Sequence, residues 1–155
     1  MDILTEKGQQ SLRYERIMLK KIMKVCSGTI IETDKNMDAK VDGVISKSGK
    51  ITNVFESKCR DMSLQELNRY GSWLITFDKI MDGKRLSEML RVPYIGFLYL
   101  IKDDIAMYWE ITDKYGNFLF DFEVKNTRTQ KTINGGSIIR TNAYLPIEKG
   151  SELYE

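Results

Sequence analysis

The first periodic pattern of apolar residues in the chain is helical. A charged first turn follows Thr5, and apolar side chains then recur at roughly helical spacing, at Leu12, Ile17, Leu19, Ile22, Met23 and Val25. Apolar positions three and four residues apart form one face of an α-helix. The pattern therefore predicts a helix that opens at Thr5 and ends near Gly28.

Three short strand patterns follow this helix. The first is "TIIETD" from Thr29, and the next two are "VDGVISK" from Val41 and "KITNVFESK" from Lys50. Only Ser48 and Gly49 separate the second and third patterns, and a short connection of this kind is typical of a β-hairpin. The segment therefore predicts a strand followed by a hairpin.

A second helix is predicted by a capping signal. Ser63 is followed three residues later by Glu66, which is the spacing of a capping box. The predicted helix runs over residues 64–81 and carries Lys79. Gly71 and the β-branched residues near its middle weaken that part of the prediction.

Strand patterns dominate the rest of the chain. A short helical pattern over residues 84–91 ends before Pro93, which cannot continue a helix. The run "YIGFLYLI" from Tyr94 is almost continuously apolar, as in a central strand covered on both faces. Three more patterns follow, "IAMYWEIT", "NFLFDFEV" and "SIIRTNAYL". The order predicts an α/β protein with a mixed central sheet flanked by helices.

Length and composition favour one domain. The chain has 155 residues, 42% of them hydrophobic, and shows no internal repeat or linker, so we expect a single domain over residues 1–155. The formal net charge is +2, and the bases outnumber the acids mainly between residues 7 and 60. This charge permits a polyanionic partner without requiring one.

The residue types exclude several chemistries. The chain has no histidine and only two cysteines, Cys26 and Cys59, which are far apart. The cysteine count and spacing disfavour a disulfide framework or a thiolate zinc site, and the absence of histidine excludes nucleophile systems that depend on it. The first ten residues are polar and the longest apolar run is too short to span a bilayer. We expect a soluble cytoplasmic protein in which any catalysis uses carboxylates, lysines and tyrosines, with or without a hard metal ion, and no small organic cofactor.

The predicted hairpin gathers such groups. Alternation along "KITNVFESK" places Glu56 and Lys58 on one face of the strand. Pairing about the Ser48-Gly49 turn brings Asp42, at the start of the preceding strand, beside them. Two carboxylates supply the oxygen ligands that Mg²⁺ prefers, and a lysine can hold a water or stabilise phosphoryl charge.

The same letters occur a second time. Glu123 and Lys125 repeat the Glu-x-Lys spacing, with Asp113 upstream across a turn. The second copy lacks both a preceding helix with a candidate carboxylate and a following capped helix. We therefore favour the first copy as the site.

The context of the first copy resembles the PD-(D/E)xK nuclease superfamily. The resemblance rests on "VDG" at 41–43, "FESK" at 55–58, a preceding helix that carries Glu15, and the order α-β-β-β-α-β. It covers about residues 10–101 and implies a restriction-endonuclease-like αβββαβ core, with a β-rich extension over about residues 104–146. Val41 stands where the nominal motif has proline.

The resemblance also implies an activity and a set of site residues. Asp42 and Glu56 would bind Mg²⁺, for which Mn²⁺ would substitute, together with the main-chain carbonyl of Ser57. Lys58 would orient or help deprotonate the attacking water, and Glu15 would assist. The implied function is a metal-dependent DNA endonuclease that hydrolyses phosphodiester bonds with metal-activated water, and a homodimer is expected by analogy.

Other residues are candidates for contacting DNA. Lys79 could reach a phosphate from the predicted second helix. The polar segment 125–140, with Arg128, Lys131 and Arg140, is either a DNA-contacting hairpin or a plain solvated loop. Two alternatives to a nuclease stay open. One is a non-catalytic nucleic-acid-binding or assembly module on the same fold; the other is an interaction or small-ligand protein whose β-rich second half carries the function.

Overall fold

The computed structural model describes residues 5–34, 39–131 and 137–154. The described residues form three α-helices, α1 (Glu6–Val25), α2 (Leu64–Tyr70) and α3 (Phe77–Leu90). They also form nine strands: β1 (Thr29–Glu32), β2 (Gly43–Lys47), β3 (Lys50–Arg60), β4 (Ser72–Thr76), β5 (Tyr94–Leu100), β6 (Ile105–Thr112), β7 (Glu123–Lys131), β8 (Ser137–Pro146) and β9 (Ser151–Glu152). A single 3-10 turn, Ile147–Lys149, precedes β9.

The strands form two sheets. The larger has six strands in the order β1-β2-β3-β5-β6-β9, and the smaller has three in the order β4-β8-β7. β3 and β5 run parallel, whereas the other neighbouring strands are antiparallel. The chain between these two parallel strands contains α2, β4 and α3. The protein is therefore a mixed α/β protein with a mixed main sheet.

Helices and the smaller sheet cover the two faces of the main sheet. On one face, α1 packs through Met18, Leu19 and Ile22 against Ile45, Phe55, Phe97, Tyr99 and Ala106. On the other face, α3 and the smaller sheet pack through Ile80, Trp73, Ile75, Ala143 and Leu145 against Val54, Leu98, Leu100, Trp109 and Ile111. Alternate residues of β3 and β5 thus enter opposite cores, as side chains of a doubly covered strand must.

The predicted first helix, hairpin and central strand are confirmed. The Thr5 hydroxyl accepts a hydrogen bond of 3.0 Å from the Gly8 amide and caps α1. Ser48 and Gly49 both have positive φ, 51° and 77°, which suits the two-residue turn of a hairpin. β5 is buried between its two neighbours, as its continuous apolar pattern predicts.

The predicted helix over residues 64–81 is wrong beyond its first two turns. Ser63 caps the helix as expected, but Gly71 adopts the left-handed conformation with φ 81° and ends it after Tyr70. The next five residues, 72–76, alternate in burial and pair with β8 as strand β4. Lys79 consequently lies on α3 and not on the helix that Ser63 opens.

Two other boundaries also differ from the predictions. The helix predicted over residues 84–91 begins earlier, at Phe77. It contains Gly83, where a Cβ would lie 2.2 Å from the Tyr94 ring, so the packing of the helix against Tyr94 requires glycine there. The aromatic residues of "NFLFDF" do not form a strand. The Phe122 ring makes edge-to-face contacts with Phe118 and Phe120 beside the core, and β7 begins only at Glu123.

In the part of the chain that the structure describes, no helix has both the length and the apolar character needed to cross a membrane.

Candidate metal centre

The candidate site lies where β3 continues past the N-terminal end of β2. Gly43, the first residue of β2, pairs with Phe55. The amide of the preceding residue, Asp42, still donates a hydrogen bond of 3.1 Å to the Phe55 carbonyl. Beyond this point the side chain of Asp42 continues the pairing, because its Oδ2 accepts a hydrogen bond of 2.8 Å from the Ser57 amide. The N–H and C=O of one strand residue point to the same side, so the Ser57 carbonyl faces the edge where Asp42 lies.

The backbone at Asp42 is held in place by a close approach of three strands. A Cβ on Gly43 would lie 2.6 Å from both the Ile31 carbonyl oxygen and Cζ of Phe55, so only glycine fits there without a shift. The Thr33 hydroxyl lies 2.8 Å from the Val41 carbonyl oxygen and 3.0 Å from that of Asp42, and hydrogen-bonds to this backbone. The position of Asp42 next to β3 is therefore fixed by its neighbours.

Glu56 is a fully buried carboxylate. Its exposed fraction is 0%, and neither Oε1 nor Oε2 has a hydrogen-bond partner among the residues that the structure describes. Lys58 is close, with its Nζ 3.9 Å from Oε1, but that distance is too long for a hydrogen bond. Burying a carboxylate without such partners is costly. The charge of the Glu56 carboxylate is therefore not neutralised by a hydrogen-bonded partner in the described part of the chain, and a cation or a proton would neutralise it.

The electrostatics of Glu56 reflect this burial. Burial and, next, the neighbouring Asp42 carboxylate raise the pKa of Glu56 to about 7, while Lys79 and Lys58 oppose the rise. Tyr94, on the α3 side of the sheet, has its pKa raised by burial and then by Glu56 and Asp42. A buried carboxylate whose charge is disfavoured by a second carboxylate is an arrangement that a divalent cation relieves.

A cleft of about 260 Å³ opens this site toward α1. It is lined by Ser11, Glu15, Met18, Asp42, Ser57, Lys58, Cys59 and Arg60. The structure thus brings Glu15, predicted from the first helix, to the same cleft as Asp42 and Lys58. The Lys58 side chain is 40% exposed, so its ammonium can meet a ligand in the cleft while it stays near Glu56.

The residues present fit a hard divalent cation held partly by water. No three acidic or thiol side chains gather into a metal shell among residues 5–34, 39–131 and 137–154. An ion at this place would be held by Asp42 and Glu56, with the Ser57 carbonyl as a main-chain ligand. Mg²⁺ commonly takes one or two carboxylates and keeps several waters, so this set is sufficient for it.

The predicted nucleic-acid contacts fall in two places. Lys79 and Arg140 line one cleft of about 510 Å³, together with Lys40 and Arg85. Arg128 lies on β7 opposite Ile139, so it projects from the other face of the β7-β8 hairpin than Arg140. Lys131 ends the described part of β7, but its side chain lies outside the described residues.

Sequence reasoning missed Lys40 and Arg85. Lys40 stands two residues before the predicted metal ligand Asp42, and this proximity was a usable signal. Arg85 gives no such signal, because its place beside Arg140 depends on the packing of α3 against β8, which no local pattern predicts.

The second Glu-x-Lys copy is an exposed surface pair. Glu123 and Lys125 are 70% and 59% exposed and form an ion pair of 2.8 Å. The Asp113 carboxylate accepts hydrogen bonds from the Tyr115 and Asn117 amides, at 2.8 and 3.0 Å, and so stabilises its own turn. The structure does not bring these residues together into a site.

No protein-family model matches this chain, and no curated protein matches it at a significant level.

Proposed function

We propose that this protein is a Mg²⁺-dependent nuclease that hydrolyses DNA phosphodiester bonds at the Asp42–Glu56 site. The observation that carries the proposal is the buried Glu56 carboxylate, which has no hydrogen-bond partner among the described residues and lies beside a second carboxylate. A divalent cation between the two would satisfy both groups, and Mn²⁺ would substitute for Mg²⁺ because it accepts the same oxygen ligands.

The element order supports a restriction-endonuclease-like core. α1, β1, β2 and β3 come first, α3 then crosses over, and β5 returns parallel to β3. The short α2 and β4 are additions between β3 and α3 in this interpretation. The β-rich extension of the proposed nuclease comprises β6 to β9.

The chain's own side chains have distinct roles in the proposed reaction. When bound, the cation supplies Lewis acidity at the phosphoryl group. Lys58 orients a water and stabilises the negative charge that builds on the phosphoryl oxygens, from its place at the mouth of the cleft. Glu15 faces the same space from α1 and positions the water from the opposite wall.

The test is cleavage of a DNA panel that contains linear, nicked, branched and single-stranded substrates, with Mg²⁺ or Mn²⁺. We expect wild-type cleavage to disappear in EDTA and to fall about 10²-fold or more in Asp42→Asn and Lys58→Met. Lys125→Met is the matched control, because it removes the same group from the exposed copy, and it should cleave like wild type.

Binding of Mn²⁺, followed by electron paramagnetic resonance or calorimetry, separates the proposal from its main alternative. Salt-sensitive DNA binding with no detectable Mn²⁺ binding would favour a non-catalytic nucleic-acid-binding module. Cleavage that persists in both Asp42→Asn and Lys58→Met would show that the site lies elsewhere.

A further inference from the structure

We infer that a second cleft, on the α3 side, holds the phosphates next to the scissile one, so that the site takes an internal phosphodiester of a continuous strand. This cleft, which we call the basic cleft, is lined by the cations Lys40, Lys79, Arg85 and Arg140. The inference rests on the proposed function, because it assigns the path of the substrate through the same site.

The basic cleft begins next to the carboxylate pair. The Lys79 ammonium donates a hydrogen bond of 3.4 Å to the Ala39 carbonyl and so joins α3 to the segment that leads into Asp42. Lys79 is also close enough to Glu56 for their charges to interact. A DNA strand bound in this cleft would therefore lie next to the proposed cation, because Ala39 is only three residues before Asp42.

The charges of the basic cleft suit a phosphodiester chain. Four cations and two acids, Asp78 and Asp82, line it, which leaves an excess of two positive charges. Arg85 forms an ion pair of 3.7 Å with Asp82, while Lys40 and Arg140 are exposed. Two excess charges correspond to two backbone phosphates, and the volume of about 510 Å³ accommodates more than one phosphate group.

The other side of the carboxylate pair is also open, and two cations there balance the two acids Glu15 and Asp42. The cleft toward α1 carries Lys58 and Arg60 beside Asp42. Cations thus flank the carboxylates on both sides, and a strand can enter through one cleft and leave through the other. A site of this shape does not need a strand end, so it can cut closed circles.

Free phosphate or a nucleoside triphosphate would satisfy the same cations, and the experiment separates these sources. Binding of fluorescent 30-nucleotide single-stranded and duplex DNA is measured by anisotropy in EDTA over a series of salt concentrations. In the double variant Lys40→Ala/Arg140→Ala we expect the salt dependence, the slope of log K against log salt, to decrease in magnitude by about 1.8 for duplex and about 1.4 for single strands. At about 0.1 M salt, affinity should fall on the order of tenfold to a hundredfold.

The matched control is Lys50→Ala/Lys149→Ala, which removes two exposed cations from outside both clefts. Its salt dependence should change much less than that of the cleft variant. Equal effects in the two double variants would overturn the inference. So would tight calorimetric binding of inorganic phosphate or ATP that the cleft variant abolishes while DNA affinity stays unchanged.

Covalently closed circular single-stranded and relaxed duplex DNA complete the test. We expect wild type with Mn²⁺ to cut the circles as well as linear strands, and cleavage restricted to linear DNA would contradict the internal path. Mn²⁺ binding should be equal in wild type and the cleft variant. If no metal-dependent cleavage occurs but the cleft variant loses DNA affinity, the proposed function fails and the basic cleft stands as a binding surface. If wild type cleaves DNA with metal but the cleft variant keeps its DNA affinity, the proposed function stands and the inference about the basic cleft fails.

Discussion

Two Glu-x-Lys tripeptides lie in strands of this protein, and they differ in burial and in the distance between their charged groups. In β3, Glu56 is fully buried and its lysine, 3.9 Å away, reaches into a cleft. In β7, Glu123 and Lys125 are well exposed and form an ion pair of 2.8 Å, and the Lys125 ammonium also lies over the Tyr144 ring. The exposed pair satisfies its own charges, whereas the buried pair does not.

The difference arises from what covers each strand. β3 lies between α1 on one side and α3 with the smaller sheet on the other, so its residues from Val54 to Ser57 are buried. Among the described strands, β7 pairs with β8 alone and is the edge of the smaller sheet. A short motif thus becomes a candidate for chemistry when the fold removes water from one of its charges.

The largest expected contrast is in catalysis. Glu56→Gln should reduce metal-dependent DNA cleavage by about 10²-fold to 10³-fold, because a neutral amide removes one of the two charges that hold the cation. Glu123→Gln should cleave within about twofold of wild type. Initial rates on a labelled duplex at a fixed Mn²⁺ concentration give both values. Equal loss in the two variants would show that the buried copy has no special role.

The second contrast is the pH dependence of stability without metal. Folding raises the pKa of Glu56 from 4.5 to about 7, so the folded state binds a proton that the unfolded state has lost between these pH values. This contribution is therefore favourable at low pH and is lost as pH rises through about 7. At pH 8, Glu56→Gln should be more stable than wild type by about 3 kcal/mol from this effect, and the difference should vanish near pH 4.

Urea unfolding in EDTA at a series of pH values measures the effect, and Glu123→Gln serves as the control with no expected trend. Added Mn²⁺ should stabilise wild type at pH 8 and leave Glu56→Gln nearly unchanged, since only the carboxylate pair binds the ion. A constant difference between wild type and Glu56→Gln across the pH range would contradict the burial of a charged carboxylate.

The smallest contrast concerns the backbone that positions the buried copy. Gly43→Ala places a methyl group against Phe55 and the Ile31 carbonyl, and we expect a loss of about 1–3 kcal/mol together with weaker Mn²⁺ binding. Gly49→Ala, at the other end of the same hairpin, meets no atom within 4 Å, and its cost comes only from the positive φ of 77°. It should lose about 1 kcal/mol and keep its Mn²⁺ affinity, as calorimetry of both variants can show.

The sequence was sufficient to predict the site hairpin because several local signals agree there. The Ser48-Gly49 turn sets the register, and alternation then places Glu56 and Lys58 on the same face. The complete burial of Glu56 was beyond a local pattern, because it depends on α3, whose residues follow β3 by about twenty positions or more.

The prediction of the second helix failed after Gly71. A capping signal at Ser63 predicted one long helix, but residues 72–76 alternate strictly, with Trp73 and Ile75 buried and Leu74 exposed. In the sequence Trp73, Leu74 and Ile75 are all apolar, so this alternation appears only in the structure; the usable signal of a strand was the run of aromatic and β-branched residues shortly after Gly71. The alternating aromatics at Phe118, Phe120 and Phe122 misled in the opposite direction, because a non-strand segment can also place alternate rings on a core.

The extension of β3 past β2 has a consequence for how this protein can vary. Ser57 would serve the cation through its carbonyl and serves Asp42 through its amide, and every amino acid except proline supplies both groups. Its own side chain is small and lines the cleft toward α1. Main-chain groups therefore supply part of the proposed site. A mutational scan should find position 57 tolerant of other small side chains. Proline there removes the amide and should disrupt the site.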